Sequence, residues 1–243
     1  MKNYKFDSRR HLHSLNEIPL HGVTTILGVI AKPELIGWAA RAAVDNIRSQ
    51  WKPGVKYTKK QINEILDGGK DEHSNIKKSA GDTGTTVHEA ISKWIKDNCP
   101  SLDSYSKYHK DKELVSKMFM NFVSWAKENN VIFHLSEHNV YSEKHWYGGI
   151  IDFTCEINGY SYLGDIKTSS GIYPEYWFQC GAYDIALNEM TGFTPVGYII
   201  VNIKKDGTMQ IQITKETAIY KEAFIHALEL YKIWSKIKGK KRK

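Results

Sequence analysis

The spacing of apolar residues divides the chain into two stretches of different character. Up to residue 130 they recur mostly at helical intervals, and beyond it they alternate. "VIFHLSEHNVYS" (131–142) alternates as a strand, and further strand-like runs lie at 149–157, 160–167, 196–203 and 209–213. One helix, 174–190, interrupts these strands and another, 216–238, follows them. Earlier, "HGVTTILGVIAKPELIGWAARAAVDNI" (21–47) reads as a β-branched segment, a break at Pro33, and a helix with an apolar stripe through Leu35, Trp38, Ala39 and Ala42. "TKKQINEILDGG" predicts a short helix ended by Gly68 and Gly69, and residues 71–98 continue helically with a break at "AGDTG". "SLDSYSKYHKDKE" (101–113) is a polar loop or the start of a helix, and "LVSKMFMNFVSWAKEN" is a helix with its apolar face through Met118, Phe122 and Trp125. Helices first, then a mixed sheet with an inserted helix, predict one α/β domain over residues 1–243. Within it, 1–80 form a helical N-terminal elaboration, 81–237 the core, and 238–243 a basic tail.

One turn fixes the most informative pair of strands. Asn158-Gly159 between two strand-like runs predicts a two-residue type I′ hairpin, because both turn positions need positive φ. Ile157 then faces Tyr160, Cys155 faces Tyr162, Phe153 faces Gly164, and Asp152 faces Asp165. Counted outward from the turn, 152/165 is a non-hydrogen-bonded pair, with Cα atoms about 4.5 Å apart and side chains close. One face of this hairpin carries Ile151, Phe153, Cys155, Ile157, Tyr160, Tyr162 and Ile166; the other carries Asp152, Asp165 and Lys167. Facing carboxylates repel and destabilise a sheet unless something cationic lies between them or one stays protonated. Lys167 supplies one positive charge, and a divalent cation with oxygen ligands would supply the rest. The alternative is a surface Asp–Asp–Lys cluster balanced by solvent and one ion pair.

Composition narrows the class only slightly. A hydrophobic fraction of 41% and a charged fraction of 25% are those of an ordinary globular chain. "MKNYKFDSRRHLHSL" has no apolar core of a signal peptide, and no run approaches the about 18 apolar residues of a membrane span. A cytoplasmic protein without a membrane partner is expected. Cys99, Cys155 and Cys180 show no CxxC spacing, which argues against a disulfide scaffold, a zinc site or a four-cysteine cluster. The net charge of +7 is carried by residues 232–243, which hold seven Lys/Arg and no acid; the remaining 27 basic and 27 acidic residues balance. Such a tail binds phosphate backbones non-specifically or merely solubilises.

Four sequence elements in order carry a resemblance. "GTTVHEAI" (84–91) is similar to the G-x-x-x-H helix of the RecB-like branch of the PD-(D/E)XK nucleases. "YGGIIDF" resembles the G-G-x-x-D strand of that branch, "LGDIKTSSG" its D-x-K-T, and "QCGAY" (179–183) its Q-x-x-x-Y helix. "GVTTILGVIAKPELIGWA" resembles the N-terminus of phage-type members, related to the mitochondrial genome maintenance exonuclease and lambda exonuclease. The resemblance implies a restriction-endonuclease-like mixed central sheet flanked by helices. It implies one or two Mg²⁺ or Mn²⁺ ions held by His88, Asp152, Asp165 and the Ile166 carbonyl, with Lys167 positioning the attacking water. Gln179 and Tyr183, one helical turn apart, would brace the site or contact phosphate, and Glu137 matches an auxiliary acid of some members. "HEAIS" is not a zincin motif, since Ser92 stands where a second histidine is needed, and no GxxxxGK[ST] marks a helicase. The implied activity is a phage-encoded, metal-dependent exonuclease on DNA that is single-stranded or has single-stranded ends. It would work in recombination, repair or replication, alongside phage or host proteins of those processes, in the host cytoplasm. A structure-selective endonuclease and a DNA-binding protein without catalysis are the alternatives.

Overall fold

A computed structural model describes residues 3–101 and 113–240. The polar stretch expected at 101–113 lies almost wholly outside the described residues, as do the last three residues of the basic tail. The chain divides into two compact units, one of Met1–Ile30 with Thr86–Lys243 and the other of Ala31–Thr85.

The smaller unit contains α2 (Glu34–Gln50) and most of α3 (Lys59–Lys96), whereas residues 4–22 of the expected helical elaboration form strands in the larger unit. The expected stop at Gly68-Gly69 is absent, because these glycines serve packing. A Cβ on Gly69 would lie 2.8 Å from the Ile47 side chain and 3.1 Å from the Ala43 carbonyl, so bare backbone lets α2 approach. Asn46 donates to Glu72 across the same contact at 3.0 Å. The break expected at 80–84 is also absent: Thr83 returns its hydroxyl to the Ser79 carbonyl at 3.1 Å, which a helix accommodates.

In the larger unit the second-half elements fall where the alternation places them. They are α4 (Glu113–Glu128), β4 (Ile132–Ser142), β5 (Tyr147–Ile157), β6 (Tyr160–Lys167), α5 (Pro174–Thr191), β7 (Gly197–Ile203), β8 (Met209–Thr214) and α6 (Thr217–Lys240). Ahead of them stand three strands and a short helix that periodicity did not pick out: β1 (Tyr4–Asp7), β2 (Leu12–Leu15), β3 (Ile18–Gly22) and α1 (Val23–Leu27). Strands of four or five residues such as "LHSL" are too short to declare a period.

Among the described residues the result is a mixed eight-stranded sheet. It runs β1-β2-β3-β5-β6-β7-β8 with β4 also on β5, and it is parallel at β3–β5 and β6–β7 and antiparallel elsewhere. Both faces are covered. The end of α3 and α4 pack Val87, Ile91, Trp94, Met118 and Phe122 on one; α1, α5 and α6 pack Ile26, Ala182, Ala186, Phe224 and Leu228 on the other. The sheet is therefore a buried middle layer, and polar groups on either face of it need partners inside the protein. Cys155 and Cys180 are buried free thiols and Cys99 is a partly exposed one. Among the described residues no helix is long and apolar enough to cross a membrane.

Candidate active site

The Asn158-Gly159 turn has φ of 53° and 77°, as a type I′ turn requires, and the hairpin adopts the expected register from Ile157↔Tyr160 to Phe153↔Gly164. There the ladder stops. Asp152 and Asp165 are not its next pair, and the reason lies in how β5 is shared. Strand β4 pairs with β5 from Tyr147 to Glu156, which occupies one edge. The other edge is divided: β3 takes Tyr147 and Gly148, and β6 takes Phe153 to Ile157. Residues Gly149 to Asp152 face the gap between them. Beyond Gly164, β6 continues on β7 alone, and the Ile166 N–H finds the Asp152 side chain, donating to Oδ2 at 2.7 Å.

Alternation also breaks here. Phe153 and Cys155 join the cluster on the α3/α4 face, whereas Ile151 joins the one under α5 and α6. The expected common face of Ile151 with Phe153 and Cys155 is thus interrupted at Asp152. Across on β4, Glu137 is the residue between the ladder pairs Ser136↔Phe153 and His138↔Ile151, and its φ is +47°. A left-handed residue inside a strand turns the chain locally, and it brings the Glu137 carboxylate to the same place as Asp152.

Two adjoining groups result. In the first, single ligand atoms of His88, Glu137 and Asp152 lie within 4.8 Å of one another, with His88 Nδ1 3.3 Å from Asp152 Oδ1. Burial opposes charge on each, but Asp152 overrides it at His88 and holds the imidazole pKa above its ordinary value, while His88 pulls Asp152 below. Glu137 is raised, by burial and then by the Asp152 charge. In the second group, Lys167 Nζ lies 2.8 and 2.6 Å from the two oxygens of Asp165, which is 1% exposed. The same ammonium donates to Gln179 Oε1 at 3.3 Å, and Gln179 Nε2 donates to the Tyr183 hydroxyl at 2.8 Å. Burial works against the Lys167 charge, but Asp165 and then Asp152 outweigh it and raise its pKa. Asp165 itself is pushed up to about 6, chiefly by burial.

That shift has a signed consequence. With a folded pKa above the ordinary Asp value, the native state holds its proton longer than the unfolded one. Metal-free stability attributable to Asp165 should therefore fall as pH rises from about 4 to about 6. Urea midpoints of wild type and Asp165→Asn should diverge in the variant's favour across that interval; parallel curves would refute it.

The structure thus brings His88, Asp152, Asp165, Lys167, Gln179 and Tyr183 into one region and adds Glu137 beside His88 and Asp152. Asp165 is not in the three-residue ligand group, because its carboxylate is engaged by Lys167. Ile166 contributes its N–H to Asp152 and its side chain to the core. Glu137 came out of sequence only as an auxiliary acid, and its left-handed backbone left no mark in the pattern. The donor set suits a hard or borderline divalent ion. One imidazole with two carboxylates favours Mn²⁺ over Mg²⁺ in affinity.

The glycines of "GGIID" have a steric reason. A Cβ on Gly149 would run into the Tyr183 ring and come within 3.2 Å of the Val23 side chain. Gly149→Ala should displace Tyr183, loosen its contact with Gln179, and lower stability by about 1–3 kcal/mol. Thermal unfolding checks this, and an unchanged midpoint would mean the ring has room elsewhere.

No protein-family model and no curated protein matches the chain. Among solved structures it is similar to a "Putative exonuclease" from Eubacterium rectale, with a TM-score of 0.43 and 13% identity over 61% of this chain and 64% of that one. The chain thus spans less than two thirds of that protein's length. It is also similar to SSO0001, with a TM-score of 0.26 and 17% identity over 58% of this chain and 73% of that one.

Proposed function

We propose that the chain is a Mg²⁺- or Mn²⁺-dependent deoxyribonuclease of the RecB-like PD-(D/E)XK type, acting as an exonuclease. One observation carries the reading: a buried Asp165–Lys167 pair, braced by Gln179, adjoins a His88–Glu137–Asp152 ligand group where the sheet divides. Asp165 and the Ile166 carbonyl complete the proposed ligand set for one or two ions.

Held by these residues, a divalent ion supplies Lewis acidity toward a phosphoryl oxygen and a bound water of lowered pKa. The chain's own part is positioning. Lys167, held as an ammonium by Asp165 and aimed by Gln179, orients the attacking water and offsets charge growing on the phosphate. Lys167, which can only donate, takes the Gln179 oxygen, and the amide nitrogen is left to donate to the Tyr183 hydroxyl. Asp152 joins the two groups, touching His88 through one oxygen and the β6 backbone through the other. The same reading gives DNA with single-stranded character as substrate. It places the work in recombination, repair or replication in a phage-infected cytoplasm, beside proteins of those processes.

End-labelled single- and double-stranded DNA, linear and circular, incubated with Mg²⁺ or Mn²⁺, tests the proposal. Loss of linear but not circular substrate is the expected result. Cleavage of circles would identify an endonuclease, and no cleavage of any substrate would refute the reading.

The basic tail gives a separate prediction. Deleting residues 238–243, "KGKKRK", removes five positive charges and takes the net charge from +7 to +2. If these side chains neutralise phosphates, each contributes about −0.7 to −0.9 to the slope of log affinity against log salt. The truncated protein should show a flatter salt dependence with nearly unchanged single-turnover cleavage. An unchanged slope would assign the tail to solubility.

A further inference from the structure

The connection from Lys167 into α5 is more highly organised than a surface loop requires. Ser169 donates its N–H to Asn202 Oδ1 at 3.0 Å and its hydroxyl to the Gly171 carbonyl at 2.6 Å. Asn202 is fully buried, so an interior side chain is committed to holding this loop. Ser170 meets the Tyr173 hydroxyl at 2.7 Å and fixes the orientation of that ring. Tyr173 in turn packs edge to face on Tyr176, with centroids 5.6 Å apart, and Tyr176 lies 4.9 Å beneath Lys167 Nζ. The two rings form a path from the ammonium to the surface, where Tyr173 is 37% exposed.

The residue type is unusual for its place. Tyr173 is the N-cap of α5, in extended conformation and with no side-chain cap bond. Ser, Thr, Asp or Asn would satisfy a helix N–H there and would stabilise the protein by about 1 kcal/mol relative to a non-capping residue. The chain gives up that cap for an exposed aromatic ring, then holds the ring still with a serine. An aromatic face that is oriented in advance, open to solvent and one ring from a phosphate-directed ammonium suits a flat, apolar-faced ligand joined to a phosphate.

We infer that Tyr173 is a base-stacking platform for a nucleotide adjoining the scissile phosphate, which makes an unpaired base part of what the enzyme recognises. The inference rests on the nuclease reading above and names its substrate class: a single strand, or an end whose terminal base can leave its partner. Stacking on one aromatic face tolerates any base but needs the base to be free of the duplex stack. Tyr173 is then a specificity residue, and Ser170 positions it.

Two measurements decide this. In cleavage, oligonucleotides carrying one abasic site, moved stepwise along the strand, are compared with intact DNA for wild type, Tyr173→Ala and Tyr173→Phe. Wild type should lose about tenfold in kcat/KM at one abasic position. Tyr173→Ala should show that loss on intact DNA and no further loss at that position, while Tyr173→Phe, which keeps the ring, should stay near wild type. In binding, fluorescence anisotropy with Asp165→Asn protein should show the same base dependence, and Tyr173→Ala in that background should abolish it. A Tyr173→Ala protein that cleaves intact DNA like wild type, or that keeps the full abasic penalty, would overturn the platform and leave the nuclease reading standing. No cleavage by wild type would overturn the nuclease reading; the binding measurement then still decides the platform, and equal affinity for intact and abasic DNA at every position would refute it.

Discussion

Asp165→Asn and Lys167→Met should each lower DNA cleavage by at least about a thousandfold, and they should differ in what they do to the fold. Lys167→Met leaves a carboxylate that is 1% exposed without its cation. Breaking a buried pair from one side costs about 3–5 kcal/mol, because the survivor stays desolvated and unpaired. Asp165→Asn is milder, since a carboxamide oxygen still accepts from Lys167 and Gln179 still accepts a second hydrogen bond from it. The double variant should recover most of the stability lost in Lys167→Met while remaining inactive. Urea unfolding of the two singles and the double closes a thermodynamic cycle. A coupling energy near zero would mean that the pair does not hold in solution, and wild-type turnover in either single would remove Lys167 and Asp165 from catalysis.

The second large effect concerns metal affinity and its dependence on pH. An imidazole binds metal only when neutral, and His88 is held above its ordinary pKa by Asp152, against the effect of burial. Loading Mn²⁺ should therefore release a proton from His88, and apparent affinity should rise with pH through the neutral range. His88→Ala should weaken Mn²⁺ binding by at least about 10- to 100-fold, the loss that even indirect support of a ligand carries, and should flatten that pH dependence. Its activity should fall most at low metal and recover partly with added Mn²⁺. Calorimetry in two buffers of different ionisation enthalpy counts the released protons. An equal proton count in wild type and variant, or an activity loss independent of metal, would make His88 a structural residue or a substrate contact.

How much of this was legible follows from which interactions are local. The 158–159 turn sets register by backbone chemistry alone, so the hairpin could be laid out residue by residue as far as Phe153↔Gly164. Asp152 and Asp165 fell outside that success because the next pair depends on β3, which competes for the same edge of β5 from more than 120 residues away. No local rule carries that information. Gln179 and Tyr183 could be placed together because a helical turn relates them, and their contact with each other is as expected. Their contact with Lys167 joins a helix to a strand and is tertiary. Glycine misled in α3, where Gly68-Gly69 reads as a stop but serves as a contact surface for α2. Residues 4–22 were opaque for a different reason: their strands draw order from pairing with one another, not from an apolar face long enough to show a period.

Glu137 stands in a left-handed backbone conformation that glycine adopts freely and a glutamate adopts only at a cost. Stability and chemistry therefore pull in opposite directions at this one position. On the proposed function, relieving the left-handed strain by Glu137→Gly would also remove a carboxylate from the His88–Glu137–Asp152 group, so a thermostability screen that recovers this variant should find it impaired in metal loading. On that reading, engineering this chain for robustness at residue 137 alone would disarm it.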